Sequence, residues 1–343
     1  MKNTISVHSS VREALALLEN LDIQTLFVVD EEGRVKGTLT DGDIRRGMLG
    51  GKSLDEEVTT CMHREFRFVR EDAVDAQALR DCRDKRIYIL PVLDADGHLK
   101  DMIDLKKRKS VLPVDAVLMA GGRGERLRPL TENTPKPLLK VGGKAIIDHN
   151  IDHLEEYGVA RAFVTVNYLA YKIIDHFEER EAHWQPGMTK VSCVKEPQFL
   201  GTIGALRFVE GLGDEVLVLN SDIYTQIDYE AFYLNFKKSG ADMSIATIPY
   251  DVSIPYGIMD IRGGLVKGIS EKPVFNYYAN AGIYLLKKSA LDLIPEGRSF
   301  DATDLVNALS AAGGKVVHFP IDGIWIDIGS FEEYQKACEL ATR

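Results

Sequence analysis

The chain repeats itself near its start. The thirteen residues FVVDEEGRVKGTL from Phe27 align without a gap on PVLDADGHLKDMI from Pro91, so that Gly33 and Gly97 are equivalent at a spacing of 64 residues. Each copy places an amphipathic helix upstream (Val11 to Leu18; Val74 to Leu79), then a strand, a D-x-x-G turn and a second strand. A unit of ~60 residues is small to hold a core alone, and two copies packed together make better physical sense. The repeat therefore predicts two copies, about 1–56 and 57–112, packed as one α+β body.

The repeat ends at a basic run, KKRK at 106–109, followed by Ser110 and Pro113. We read this run as a solvated linker. Beyond it the pattern changes to strands alternating with helices. VDAVLMA, AFVTVN and EVLVLN read as buried strands, Ala145 to Tyr157 as a helix stopped by Gly158, and Ser330 with Glu333 as a capping box opening a last helix. Alternation of this kind predicts an α/β domain over 113–343, with a mostly parallel mixed sheet covered by helices on both faces. Ligands of such sheets bind at the carboxyl ends of the strands.

Composition narrows the function. The 343 residues carry a net charge of −10, which excludes a general binder of nucleic acid or anionic membrane. No apolar run is long enough to span a membrane and no apolar leader is present, so a cytoplasmic protein is expected. The four cysteines form no C-x-x-C and predict neither disulfides nor structural zinc. His149 and His153 have the spacing of a zinc pair on a helix, but Asn150 stands where H-E-x-x-H has glutamate, so they read as ordinary histidines.

Against this acidic background, Arg123, Arg126, Arg128, Lys136, Lys140 and Lys144 fall within 22 residues, opposed only by Glu125 and Glu132. The cluster begins in MAGGRGERLRPL, directly after a strand. Neither common phosphate fingerprint is present: Leu127 occupies the third glycine position of G-x-G-x-x-G, and Gly143-Lys144 is followed by Ala145. Gly121, Gly122 and Gly124 nonetheless let backbone amides approach a polyphosphate, and Pro135 and Pro137 stiffen Lys136 between them.

AGGRGERLRPLTENTPKPLLKVGGK closely resembles the signature of sugar-1-phosphate nucleotidyltransferases, and FLGTIGAL, LNSD, YGIMDI, EKP, NAGIY and WIDIG follow in the family's order. The resemblance implies a Rossmann-like domain joining a nucleoside triphosphate to a sugar-1-phosphate, with pyrophosphate as the other product. By resemblance, Ala120 lies beside the base, Gly121, Gly122 and Gly124 hold the nucleotide, and Gly201 and Thr202 border base and sugar. Arg126 and Lys136 are the catalytic cations, Asp222 and Asp327 hold Mg²⁺, and Gly257, Glu271, Lys272 and Asn280 bind the sugar phosphate. The N-terminal repeat resembles a tandem CBS pair, which implies a nucleotide effector at Thr40 and Asp43. The second copy has Asp104 and Lys107 at those positions, so one site at most is intact. Capping of a helix explains Thr40 and Asp43 equally well. The fusion resembles CBS-linked guanylyltransferases of legionaminic-acid-type pathways, which implies GTP, a hexose or hexosamine phosphate and a homo-oligomer. Uridylyl, thymidylyl or cytidylyl transfer, and a non-catalytic nucleotide sensor, are the alternatives.

Overall fold

Ser10 starts the first helix by exchanging hydrogen bonds with Glu13: the Ser10 N–H donates to the Glu13 carboxylate at 2.7 Å, and the Glu13 N–H donates to the Ser10 hydroxyl at 3.2 Å. Such a box stabilises a helix by about 1 kcal/mol. In this computed structural model, which describes residues 3–342, the chain divides after Val111 into two units. The first copy contains β1 (Thr4–Ser6), α1 (Val11–Glu19), β2 (Thr25–Val29), β3 (Val35–Thr40) and α2 (Asp41–Leu49), with strand order β1-β2-β3. The second contains β4 (Val69–Arg70), α3 (Ala76–Asp84), β5 (Ile89–Leu93) and β6 (Leu99–Asp104), in the equivalent order. Helix α3 starts later than the periodicity predicts and runs further. Asp75 takes the cap position, accepting the Gln77 and Ala78 N–H groups.

The two copies meet through the repeated turn. Gly33 and Gly97 adopt φ of +81° and +88°, the left-handed region that glycine enters without strain. The Val35 N–H donates to the Gly97 carbonyl at 3.0 Å, and Phe27, Val35 and Leu93 form a buried cluster shared between the copies. The copies differ after the last strand. Residue Thr40 opens α2, whereas Asp104 leads into a turn closed by the Lys107 and Arg108 N–H groups.

The second unit begins with β7 (Asp115–Ala120) and a small hairpin of β8 (Lys140–Val141) and β9 (Lys144–Ala145). Then come α4 (Ile146–Glu156), β10 (Arg161–Val166), α5 (Ala170–Glu181), β11 (Lys190–Lys195), β12 (Glu215–Asn220), β13 (Ile223–Thr225) and α6 (Tyr229–Ser239). A ribbon follows, made of β14 (Met243–Ser253), β15 (Ile258–Arg262), β16 (Leu265–Ser270) and β17 (Val274–Lys287). The chain finishes with α7 (Ala302–Ala311), β18 (Val316–Pro320), β19 (Trp325–Asp327) and α8 (Phe331–Ala341). The central sheet has seven strands in the order β11-β10-β7-β12-β17-β14-β18, and β17 alone runs against its neighbours.

Four adjacent parallel strands, β11, β10, β7 and β12, deliver their following loops to one edge. The opposite edge is pinned by buried Asp115, which accepts from Arg161 at 2.8 and 2.6 Å and from the Gly213 N–H at 2.6 Å. Helix α4 ends at Tyr157, with Gly158 at φ +66° as the stop. His149 and His153 lie on that helix, each 2.8 Å from a backbone carbonyl, of Val141 and Ile227. In α8 the Ser330 hydroxyl caps Glu333 as predicted, but it is the Gly329 N–H that donates back to the Glu333 carboxylate. Among the described residues, no helix is long and apolar enough to cross a membrane, and the four cysteines are free thiols.

Candidate active site

The loop after β7 is folded tightly, and glycine is required at two of its positions for different reasons. At Gly124, φ is +62°, and a Cβ would lie 3.0 Å from Thr131 Cγ2 and 3.1 Å from Lys136 Cβ. The Thr131 hydroxyl donates to the Gly124 carbonyl at 2.8 Å and ties the loop to the segment carrying Lys136. At Gly121, a Cβ would come within 2.5 Å of the Glu196 carboxylate. Gly122 faces open space. A cleft of about 420 Å³ opens over this loop, and its walls include Ala120, Gly121, Gly122, Gly124, Arg126, Lys136, Gly201, Thr202 and Asp222.

The electrostatic centre of the cleft is Lys136, whose side chain is only 10% exposed. Its ammonium donates to the Asp222 carboxylate and lies 3.8 Å from Asp327 Oδ1. Asp222 and Asp327 come from distant parts of the sequence but are brought together by sheet register. β13 pairs antiparallel with β19, Ile223 opposite Asp327, so Asp222 stands beside that pair. Burial pushes the Asp327 carboxyl above the usual range, and the Asp222 charge adds to the rise. Lys136 and Arg126 pull it the other way without cancelling it. Arg126 lies along the backbone of Gly329, where a Cβ would sit 3.1 Å from the guanidinium.

Gly201 and Thr202 form a rigid wall. Gly201 has φ of +76°, and a Cβ there would meet the Phe300 carbonyl at 2.8 Å. Thr202 is tied to the start of α7. Its N–H donates to Asp301 at 2.8 Å, and its hydroxyl accepts the Ala302 N–H at 3.0 Å.

The expected sugar-phosphate residues are placed differently. Gly257, Glu271, Lys272 and Asn280 do not line this cleft. The first three belong to the exposed ribbon, because β14 and β17 continue as a two-stranded extension beyond the central sheet. There Gly257 and Glu271 face one another, and a Cβ on Gly257 would lie 3.0 Å from the Glu271 carboxylate. Asn280 sits nearer. Its amide donates to the Tyr284 hydroxyl at 2.8 Å and accepts the Gly282 N–H at 2.9 Å. Gly282 in turn packs against Asn220, which lines the cleft.

Residues 115–343 match the family model for nucleotidyl transferases. The chain belongs to the nucleotidyl transferase family. Residues 3–50 match the CBS domain model, which covers the first copy of the repeat. Among curated proteins, the chain is 32% identical over 234 residues to mannose-1-phosphate guanylyltransferase 1 of Arabidopsis thaliana, covering 66% of this chain and 64% of that one. It is 30% identical over 233 residues to mannose-1-phosphate guanyltransferase of Debaryomyces hansenii, covering 65% and 63%. The chain thus spans just under two thirds of the length of these relatives. Among solved structures, HddC from Yersinia pseudotuberculosis aligns with a TM-score of 0.50 at 30% identity, covering 66% of this chain and 99% of that one. The same protein complexed with GMP-PN aligns with a TM-score of 0.50 at 29% identity. This nucleotidyl transferase has the mixed, mostly parallel sheet of its family, and a CBS domain precedes it in the chain.

Two further cleft residues carry weak sequence signals. Gly329 appears only as the end of WIDIG, and its proximity to Arg126 depends on the β13–β19 pairing. Glu196 appears as an ordinary Glu-Pro step, although it directly follows β11 at the carboxyl edge of the sheet.

Proposed function

We propose that the chain transfers a guanylyl group from GTP to a hexose- or hexosamine-1-phosphate, giving a GDP-sugar and pyrophosphate. The observation carrying this reading is Lys136, buried between Asp222 and Asp327 under a glycine loop with Arg126 beside it. The relatives named as guanylyltransferases, and the one complexed with GMP-PN, support guanine as the base.

In the reaction, an oxygen of the sugar phosphate attacks the α-phosphorus in line. The new O–P bond forms as the bond to the β-phosphate oxygen breaks, and pyrophosphate carries away the negative charge. Both partners are anions, so catalysis consists of alignment and charge screening, with no covalent protein nucleophile. The Gly121 and Gly122 amides would cradle the triphosphate, Arg126 would neutralise the departing pyrophosphate, and Lys136 the reacting phosphates. Glu271 and Lys272 on the ribbon, with Gly257 and Asn280, would receive the sugar and its phosphate.

The carboxylates fit a divalent cation. Asp222 and Asp327 converge on one ammonium, and the two carboxylates together give the paired oxygen donors that such an ion takes. Asp222 and Asp327 would hold Mg²⁺, which prefers few carboxylates together with phosphate and water. When bound it supplies charge neutralisation to the phosphates.

The first unit supports a regulatory reading. A cleft of about 550 Å³ there is lined by Thr40, Asp43, Arg46, Arg67, Arg86 and Tyr88, suited to a nucleotide effector.

Pyrophosphate release should be measured with four nucleoside triphosphates against several hexose-1-phosphates in Mg²⁺, with Asp222→Ala as the blank. Preferred turnover of GTP with one sugar phosphate is expected. Preference for another triphosphate would discard the guanylyl assignment. No turnover by folded protein over the whole panel would favour a sensor.

A further inference from the structure

The ribbon leaves the central sheet with one apolar face uncovered. β18 pairs with β14 only from Met243 to Thr247, and β12 pairs with β17 only from Ile283 to Lys287. Beyond those limits β14 and β17 are bonded to each other alone. Along this stretch apolar and polar residues alternate. Tyr250 opposite Tyr277 and Val252 opposite Phe275 share one face. Asp251 opposite Asn276 lies on the other, joined by a 2.7 Å hydrogen bond. The β15–β16 hairpin repeats the pattern: Met259 opposite Ile269 and Ile261 opposite Val266 share a face, and Asp260 pairs with Arg262 on the reverse at 3.2 Å. Such alternation belongs to strands with one face buried. Yet the eight apolar side chains are 39% to 65% exposed. More than half of the large hydrophobic side chains exposed among the described residues lie between Tyr250 and Tyr278.

Area, charge and strand edges indicate what covers this face. Taking about half of the ~200 Å² of an aromatic side chain, and somewhat less for an aliphatic one, the eight residues offer roughly 700 Å². Each partner of a standard interface gives about 800 Å². The chain as a whole carries a charge of −10, which opposes self-association. The ribbon does not share it: Asp251, Asp260 and Glu271 are balanced by Arg262, Lys267 and Lys272. A neutral apolar patch on an acidic chain is where two copies can approach without repulsion, and it has no net charge to attract a partner of opposite sign. The extension also has two open edges, and an isolated two-stranded ribbon is marginally stable in water.

We propose that the apolar ribbon face is a homodimer interface, on which the same face of a second copy of this chain packs about a two-fold axis. A two-fold contact is isologous, so each side chain of the patch meets a group from the same patch on the partner. The aromatic pair Tyr250 and Tyr277 supplies broad, stiff contact area, and Met259 and Ile269 supply aliphatic surface to pack against it. The contact covers the apolar face, leaves Asp251, Asn276, Asp260 and Arg262 facing water, and gives the ribbon the third layer that its own domain does not provide. It does not depend on which triphosphate or sugar the cleft accepts.

The test is sedimentation velocity of the full-length protein over a range of concentrations, without added ligand. The expected result is a species of twice the 38.2 kDa chain mass. Tyr277→Lys and, separately, Ile269→Lys should each raise the dimer dissociation constant about 30-fold or more, as loss of a central apolar anchor does. Both positions are exposed, so the single chain should keep its circular dichroism spectrum. Tyr171→Lys, an equally exposed aromatic on α5, should leave the dimer unchanged. A wild-type protein that stays monomeric to about 100 µM would overturn the proposal, since interfaces of this size bind at micromolar or tighter. So would a dimer that persists unweakened in folded Tyr277→Lys and Ile269→Lys, because the contact would then lie elsewhere on the chain. If neither variant folds, hydrogen exchange of the wild type decides. Amides of residues 250–278 should slow as concentration rises through the dissociation constant, and exchange there that ignores concentration would overturn the proposal.

Discussion

Two of the molecule's clefts, one in each unit, are lined by hydroxyls, carboxylates and cations, and they use these groups differently. In the first unit, Asp43 accepts from the Thr40 N–H at 2.9 Å, the Thr40 hydroxyl at 2.6 Å and the Arg46 guanidinium at 2.6 Å. Its hydrogen-bonding capacity is largely spent on holding the start of α2. In the second unit, one lysine serves two carboxylates that long-range strand pairing brings together. A helix cap and a ligand site draw on the same residue types, so sequence alone leaves Thr40 and Asp43 ambiguous. The hydrogen bonds show that the capping role is real. A nucleotide at Asp43 would have to share a carboxylate already in use, whereas a ligand in the second cleft would meet Lys136 directly, since it lines that cleft.

The contrast can be broken most sharply at Lys136. Replacing it by Met should lower kcat about 100- to 1000-fold, because the missing charge acts where negative charge is concentrated in the transition state. A loss under tenfold in steady-state turnover would make Lys136 a structural counter-ion, like Arg46.

The intermediate effect belongs to Asp43→Ala. It removes the acceptor for the Thr40 N–H and hydroxyl, and should lower the stability of the first unit by about 1 kcal/mol in a denaturant titration. The exposed Arg46 pair adds little. Unchanged stability combined with loss of every nucleotide effect on turnover would invert the comparison and make Asp43 a ligand residue.

The smallest effect sharpens the comparison from within the second unit. His176 on α5 pairs with Asp148 on α4 at 2.8 Å, a spent pair whose residues do not line the cleft. The hydrogen bond to Asp148 raises the imidazole above its ordinary value of 6.5, despite partial burial. A raised folded-state value means the favourable contribution is complete below about pH 6.5 and is lost as pH rises through that raised value. Wild type minus His176→Gln, measured by chemical denaturation, should show that trend at under about 1 kcal/mol. The KM values for both substrates should not change with the substitution.

The fold was legible where local signals were strong. VDAVLMA, AFVTVN and EVLVLN became β7, β10 and β12 because their near-continuous apolar runs suit strands covered on both faces. The repeat was legible because its turn glycines adopt the same left-handed conformation. The cleft was legible along the glycine loop and at Asp222. Gly329 was not, since its contact with Arg126 is created by long-range strand pairing. Glu196 was not, because an acidic residue before proline looks like a surface turn until burial is known. The ribbon residues read as a sugar-phosphate site from their motifs. Their separation from the cleft lining follows from how far β14 and β17 extend, a length that no motif encodes.

The pairing of β13 with β19 also orders events during synthesis. A chain emerging from the ribosome N-terminus first presents the glycine loop, Lys136 and Asp222 long before residues 325–327. Until Trp325, Ile326 and Asp327 are free to dock, β13 has no partner and Lys136 faces only one of its two carboxylates. The charge set over which the phosphates would react is thus among the last features of the domain to be assembled, and nascent chains halted before Trp325 carry the glycine loop without a finished centre.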